Sequence, residues 1–464
     1  MDPHSLSAVE LAAAIAARRI SSAEATAAAL SRLKTVHART NAVVTFEDER
    51  AGEQAKAADA AIARGEVAGA LQGVPLAHKD MFDRVGRIAS WGGRIRRDTP
   101  AASTATPLAR LEAAGSHQVA ALHLTEFAFG PTGHNYVLGH ARNPWDVTRI
   151  TGGSSSGSSI AVATGCVPLA LGSDTAGSLR LPAAACGVAS LKGTWSRVSR
   201  AGAMPLSPSL DCVGPIARDV RDLAVGMALI AGADGRDGGA SARPVPDYAR
   251  LLGRPVTGLR IGVDERLIGD ADASVQKRLE AALRVLEAAG ARRVPVRFTN
   301  WREIDHLTQL AQLPEVASAH GRYIRSRAGD YGPQVRARIE YGHFISAADH
   351  QTALRARGTM LRRVLAETYE AADVTALPTF ADPLPTIAEL DVGGGPTLMA
   401  AMARVILYTR PINYLGLPAL TLPYPHDGVP NGFQLVGRPF DETKLLQLGV
   451  AYQRDVKPQI APID

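Results

Sequence analysis

Apolar side chains recur every three or four residues across positions 7–33, at Val9, Leu11, Ile15, Ile20 and Leu30, which predicts two amphipathic helices at the start of the chain. Ser21 with Glu24 three residues on marks the start of the second, because each side chain can satisfy the other's backbone N–H. An alanine-rich stretch at 50–64 predicts a third helix. The period then changes. Residues 73–77 read as a short buried strand running into His78-Lys79-Asp80, after which helical and extended runs alternate: 106–114 helical, 118–122 extended, 159–164 helical, 167–171 extended. Farther along, 260–263, 292–298, 419–423 and 433–436 predict strands, and 273–289 and 442–453 predict helices. Alternation of this kind predicts an α/β fold, a large mixed β-sheet covered by helices on both faces.

Residues 300–372 lack strand alternation and are rich in Arg, Tyr and His, so the 300–410 segment reads as a variable cap or pocket wall. No internal repeat is visible, and only 232–243 has the composition of a surface joint. The expectation is one domain over 1–464, with N-terminal helices over 1–65 and a catalytic core over 66–230. At 464 residues, 46% hydrophobic and 21% charged, the chain has material for a large core, and disordered or fibrous classes are excluded. Lys+Arg 51 against Asp+Glu 45 gives +6, a small excess for this length. The arginine clusters at 94–97 and 355–363 have no interleaved aromatics, so they read as solvated faces and no nucleic-acid partner is expected. Cys166, Cys186 and Cys212 are too few and too unevenly spaced for a disulfide framework or a zinc site, and are expected to be buried apolar groups. Asp2, Glu10, Arg18 and Arg19 break up the N-terminus, and no apolar run reaches a membrane span. A cytoplasmic protein with no membrane partner is expected.

Two Gly/Ser-rich segments hold the candidate chemistry: Thr151-Gly-Gly-Ser-Ser-Ser-Gly-Ser-Ser159, and Gly172 to Pro182. A flexible linker fits the composition of the first, yet the apolar run at 160–171 follows at once. Gly153-Ser-Ser-Ser-Gly157 has the form of a nucleophile elbow centred on Ser155, but the preceding 143–149 is polar and turn-like where an elbow needs a strand. A phosphate loop lacks its Lys-Ser/Thr. Lysine is scarce, and Lys79 follows directly on a predicted strand. Burial there disfavours the ammonium and would suit the amine to accept a proton, whereas the plain alternative is pairing with Asp80 or Asp83.

Taken together the chain resembles the amidase signature family of serine amide hydrolases. The matching stretches are Val74-Pro-Leu-Ala-His-Lys-Asp80, Thr125-Glu-Phe-Ala128, Asn143-Pro-Trp-Asp146, the loop from Gly152 to Gly157, the segment from Gly172 to Pro182, Asp211-Cys-Val-Gly-Pro215, Pro411 to Pro418 and Gly432 to Pro439, in the family's order. The resemblance implies a catalytic Lys79, a relay Ser154 preceded by a cis peptide, and a nucleophilic Ser178. It implies an oxyanion hole from the backbone N–H groups of Thr175, Ala176, Gly177 and Ser178, with Ser155, Asp174 and Arg180 in support, and neither metal nor cofactor.

The chain departs from the family pattern at Ser156, at Ala176 and at Gly193, which bears on substrate more than on mechanism. The implied reaction is cleavage of a C–N bond in an amide or carbamate, of aryl amide, anilide or urethane type, by a monomer or homodimer, with Met81, Phe82, Phe127, Phe129, Tyr136 and Trp195 as candidate pocket residues. The alternatives are a hydrolase of small urea-derived or dicarboxylic amides, or the glutaminase subunit of a tRNA-dependent amidotransferase. The latter subgroup usually reads Ser-Ile-Arg-Gln-Pro where this chain has Ser178-Leu-Arg-Leu-Pro182.

Overall fold

The computed structural model describes residues 1–66, 68–96 and 98–463. Helices Ala8–Ala16 and Ser22–Thr40 open the chain, each with a capping box, Ser7 with Glu10 and Ser21 with Glu24. The alanine-rich helix is Asp48–Ala63. Among the described residues there are eleven strands: β1 Val43–Phe46, β2 Pro75–Lys79, β3 His117–Leu122, β4 Leu169–Asp174, β5 Ala189–Lys192, β6 Cys212–Ala217, β7 Arg260–Val263, β8 Arg292–Pro295, β9 Val374–Pro378, β10 Ala419–Pro423 and β11 Gly432–Gly437. Eight of them form the expected large mixed sheet, in the order β4-β6-β5-β10-β11-β9-β7-β8. β4 to β9 pair antiparallel along the row, whereas β9-β7-β8 pair parallel.

The other three strands form a second sheet, β1-β3-β2, rather than an extension of the first. The sheets are joined through a side chain. His78 Nδ1, on β2, accepts a hydrogen bond at 3.0 Å from the Leu171 backbone N–H on β4. Burial pushes this imidazole down to about 3, so it is neutral and free to accept. Its neighbour Lys79 also reaches β4, at a different point, through Ser173 Oγ at 2.9 Å.

The 300–410 segment is more than a wall. Helices Trp301–Arg327, Pro333–Gly342 and Ala347–Glu367 fulfil the helical expectation, but β9 from the same segment lies inside the large sheet between β11 and β7. One apolar cluster runs from Ala8 through β4 and β10 to Tyr452. The three cysteines are buried and unpaired, as expected. The arginine clusters meet the expectation in part. Arg94, Arg355, Arg362 and Arg363 are exposed, whereas Arg96 pairs with Asp83 at 2.8 Å and lies over Trp91, and half-buried Arg357 lies over Trp195; Arg97 lies outside the described residues. No described helix is long and apolar enough to cross a membrane.

Candidate functional site

Lys79 is the last residue of β2 and is 1% exposed. Its Nζ lies 2.7 Å from Ser154 Oγ, 2.9 Å from Ser173 Oγ and 3.3 Å from Ser155 Oγ. Burial pushes the amine down to about 7, against the pull of Asp174 and Asp211, whose negative charges favour the ammonium. Lys79 therefore has none of the ion pairing with Asp80 or Asp83 that its sequence position allowed. Asp80 instead accepts from the Ser90 backbone N–H at 2.9 Å and from its hydroxyl, and Asp83 from Arg96.

Ser154 and Ser155 enter from the Gly/Ser loop, whose Gly152 and Gly153 take φ of +78° and +136°. A side chain at Gly152 would meet the Leu181 carbonyl oxygen at 2.8 Å. The loop runs straight into helix Ser156–Ala163, so it is neither a linker nor the exit from a strand that an elbow requires. Ser156, where the family commonly has glycine, donates from Oγ to the Gly153 carbonyl at 2.6 Å and so braces the turn. Ser155 Oγ accepts from the Ser173 backbone N–H and donates to the Ser173 carbonyl, both at 3.3 Å, which fastens the loop to β4 beside the amine.

Ser178 stands on the turn between β4 and helix Arg180–Cys186, and at 8% exposure it is the most accessible of the three candidate catalytic residues. Its Oγ accepts from the Ser154 backbone N–H at 3.4 Å. This contact corrects one expectation. No peptide among the described residues is cis, so the bond before Ser154 is trans. Two left-handed glycines already make the turn, and a trans bond avoids the roughly 3–4 kcal/mol of a non-proline cis peptide. As a result Ser154 presents its N–H to Ser178 and its hydroxyl to Lys79, and no hydrogen bond joins the two hydroxyls among the described residues.

The loop before Ser178 differs from expectation at one position. The N–H groups of Thr175, Ala176 and Ser178 donate to no protein acceptor among the described residues, whereas the Gly177 N–H is held by Asp174 Oδ1 at 2.8 Å. Gly177 is needed for a different reason: its φ is +130°, and a Cβ there would meet Thr409 Oγ1 at 2.5 Å. Asp174 organises the turn. Besides Gly177 it accepts from the Leu179 N–H at 3.1 Å, from Asn413 Nδ2 at 2.8 Å, and from Arg180 Nε and Nη2 at 3.0 Å each. Burial alone would raise its pKa, but the Arg180 guanidinium outweighs this and holds the carboxyl well below its usual range. Arg180 in turn reaches Gln434 Oε1 at 2.8 Å and the Thr409 carbonyl at 2.9 Å.

Removing one member of a fully buried pair strands the other charge. Asp174→Ala is therefore expected to cost about 3–5 kcal/mol in urea unfolding. A loss near zero would show that the pair is not a structural anchor.

A cavity of about 230 Å³ opens beside the loop, lined by Met81, Ser173, Thr175, Met204, Leu206 and Asp211 among others. Burial pushes the Asp211 carboxyl up to about 6, and it accepts from Thr175 Oγ1 at 2.6 Å. Of the expected pocket residues only Met81 lines this cavity. Phe82 lines a separate cavity that also borders Lys79. Phe127 is buried against His320 and Tyr331, and Phe129 lies under the guanidinium of Arg338 at 3.7 Å. Tyr136 is engaged with Asp391. Trp195 is half-buried behind the cavity wall, where its Nε1 donates to the Pro208 carbonyl at 3.3 Å. Phe127, Phe129 and Trp195 are thus core or buttress, because neighbours cover their ring faces, whereas Phe82 borders the cavity beside Lys79.

Several residues at the site carried no assigned role in the sequence. Ser173, Asp211, Asn413 and Gln434 lie inside matched stretches, so the signal was present without a function attached. Thr409, whose Oγ1 donates to the Ala176 carbonyl at 2.7 Å, had no signal beyond adjacency.

The chain is similar to known proteins over nearly its whole length. The sequence model of the Amidase family matches residues 24–446. A glutamyl-tRNA(Gln) amidotransferase subunit from Halorhodospira halophila (strain DSM 244 / SL1) is 38% identical over 476 aligned positions, covering 97% of each chain. A solved structure described as an unexpected vestigial protein complex revealing the evolutionary origins of an s-triazine catabolic enzyme superposes with a TM-score of 0.91 at 32% identity, over 98% of this chain and all of the other. A bacterial aryl acylamidase of the amidase signature family superposes with a TM-score of 0.87 at 25% identity, over 98% of this chain and 96% of its own. With a buried lysine among serines, an anchored turn bearing Ser178 and a family match over most of its length, the chain belongs to the amidase family, the amidase signature C–N hydrolases.

Proposed function

We propose that the protein hydrolyses the C–N bond of a small amide through an acyl-enzyme on Ser178. Ser178 Oγ attacks the amide carbonyl while its proton passes by way of the Ser154 hydroxyl to neutral Lys79. The N–H groups of Thr175, Ala176 and Ser178 hold the resulting oxyanion, and the proton returns from Lys79 to the departing nitrogen as the C–N bond breaks. Water then attacks the acyl ester by the same route and releases the acid. The observation that carries this reading is the buried amine, its titration lowered to about 7, lying 2.7 Å from Ser154 Oγ while Ser178 Oγ is held by the N–H of the same serine. The relay is complete when the Ser178 hydroxyl turns to donate to Ser154 Oγ while that oxygen keeps its contact with Lys79 and passes its own proton to the amine.

For the substrate, a small amide bearing a carboxylate, such as glutamine or a urea-derived acid, is favoured over the aryl amide or urethane. Two things support this. The relatives that match over nearly the whole chain are named as amidotransferase subunits. In addition, Arg338 is 8% exposed and has no carboxylate partner among the described residues; its Nη1 donates to the Phe129 carbonyl at 3.1 Å and its Nε has no partner. Burial pushes the guanidinium down to about 9, so it is still charged at neutral pH and lacks a counter-ion. It lies close enough to Arg410 to feel its charge, and Arg410 follows Thr409, which is bonded to the candidate oxyanion loop. The apolar cavity beside Thr175 favours the second reading, an aryl amide or carbamate.

A panel of L-glutamine, a carboxylated urea, p-nitroacetanilide and an aryl carbamate, assayed for ammonia and for chromophore, separates the two. Ammonia release from the first pair, with Arg338→Met raising KM for them at least about tenfold, supports the carboxylated amide. Turnover confined to the second pair rejects it. Copurification with a second polypeptide would support a role within a larger assembly over the expected monomer or homodimer.

A further inference from the structure

The loop at 132–140 and the end of the short helix Ile387–Leu390 bring His134, His140 and Asp391 together, with one ligand atom from each lying within 4.8 Å of the other two. None of these residues has a part in the serine and lysine cluster, and no local motif announces the group because Asp391 is 251 positions beyond His140. We propose that these three side chains form a binding site for a divalent metal ion of the zinc class, with water completing the coordination.

Imidazole nitrogen and carboxylate oxygen are the donors such an ion takes, in sets of three or four. Each imidazole already has polar neighbours on Nδ1, which is how ligand rings are oriented: Thr132 Oγ1 lies 2.8 Å from that of His134, and the Asn135 N–H and carbonyl oxygen lie 3.0 and 3.1 Å from that of His140, which takes the tautomer donating to the carbonyl when Nε2 binds the ion. This leaves the Nε2 atoms for the ion. His140 Nε2 lies 3.9 Å from Asp391 Oδ2, and His134 Nε2 lies 3.0 Å from the carbonyl of Ile387, which it would give up for the metal. Bonds near 2.0–2.1 Å in a tetrahedron set ligand atoms roughly 3.3 Å apart, so the group must contract. The exposed carboxylate and half-buried His140 supply that movement around the buried His134. The Tyr136 hydroxyl donates to Asp391 and would steady it as a ligand. An ion here would fasten the 132–140 loop to the 386–391 turn, which is tied to helix Pro333–Gly342 through Gln334 Nε2 on the Leu390 carbonyl at 2.8 Å.

The test uses full-length protein stripped with chelator, titrated with zinc chloride by calorimetry and followed by thermal melting. One equivalent bound, a higher melting temperature, and affinity at least about tenfold weaker in both His140→Ala and Asp391→Asn are expected. Should His140→Ala fail to fold, Asp391→Asn, on an exposed carboxylate, decides alone. No binding, or binding unchanged in these variants, overturns the proposal. Amide turnover is expected to be unaffected by either substitution, so the metal result stands apart from the hydrolytic reading.

Discussion

Ser178→Ala is expected to lower amide turnover by roughly four orders of magnitude or more, and to abolish labelling by a fluorophosphonate probe, with little change in stability. The hydroxyl receives one long bond, 3.4 Å from the Ser154 N–H, so the fold loses little when it is removed. The chemistry loses its attacking oxygen, and without it the three free N–H groups have no tetrahedral intermediate to stabilise. Ser155→Ala provides the contrast. Its hydroxyl fastens the glycine loop to Ser173 and lies 3.3 Å from Lys79, so its loss should lower turnover only in part. Labelling that persists in Ser178→Ala and disappears in Ser155→Ala would transfer the nucleophile to Ser155 and reject the proposed assignment.

The second large effect is expected at Lys79. The proposed base must be neutral, and burial places its titration at about 7, so kcat/KM should fall about tenfold per pH unit below that point. Lys79→Met should be as severe as the loss of Ser178, and acidification should not rescue it. Asp211 and Asp174 both favour the charged amine, so Asp211→Asn removes a negative charge and should move the acid limb to lower pH. An acid limb that moves upward in Asp211→Asn, or a wild-type enzyme most active well below pH 6, would exclude Lys79 as the base. Stability also rises with pH, over a higher range. Folding holds the amine below its unfolded value of 10.5, a cost fully present below about pH 7 that fades as the pH rises toward 10.5. Lys79→Met should therefore gain stability relative to wild type at neutral pH and show no such gain near pH 11.

Asp174 adds stability where the buried amine costs it. Its folded pKa is depressed, so its contribution to stability is complete above the ordinary carboxylate range and is lost as the pH falls through the folded value. The site thus joins two buried groups, both held below their ordinary values for different reasons. One is an amine that burial makes basic only above neutrality, and the other is a carboxylate kept ionised by Arg180 so that it can hold the turn carrying Ser178.

Local pattern was sufficient where a strand or helix is read by its own neighbours. The capping box at Ser21, the strand Ala419–Pro423 and the helix Ala273–Ala288 are found where periodicity put them. β5, β6 and β9 had no such signal. They are buried along their whole length, so apolar and polar positions do not alternate, and short uniform runs can be read as helix or strand. Phe127 and Phe129 lie away from the cavity because a ring next to a motif is not necessarily in it: Phe129 is capped by Arg338, 209 positions away.

By itself the sequence determined the family, the lysine and the serines, because ordered motifs fix residue type and spacing along the chain. Only the tertiary structure decided what those residues face. Lys79 is stripped of water and counter-ion by β4 and the glycine loop, Asp174 is paired through a helix turn and to Asn413 239 positions on, and the Gly177 N–H is turned from the open side toward Asp174. Burial and long-range contact set a side chain's charge and direction, and neither is a property of its local sequence.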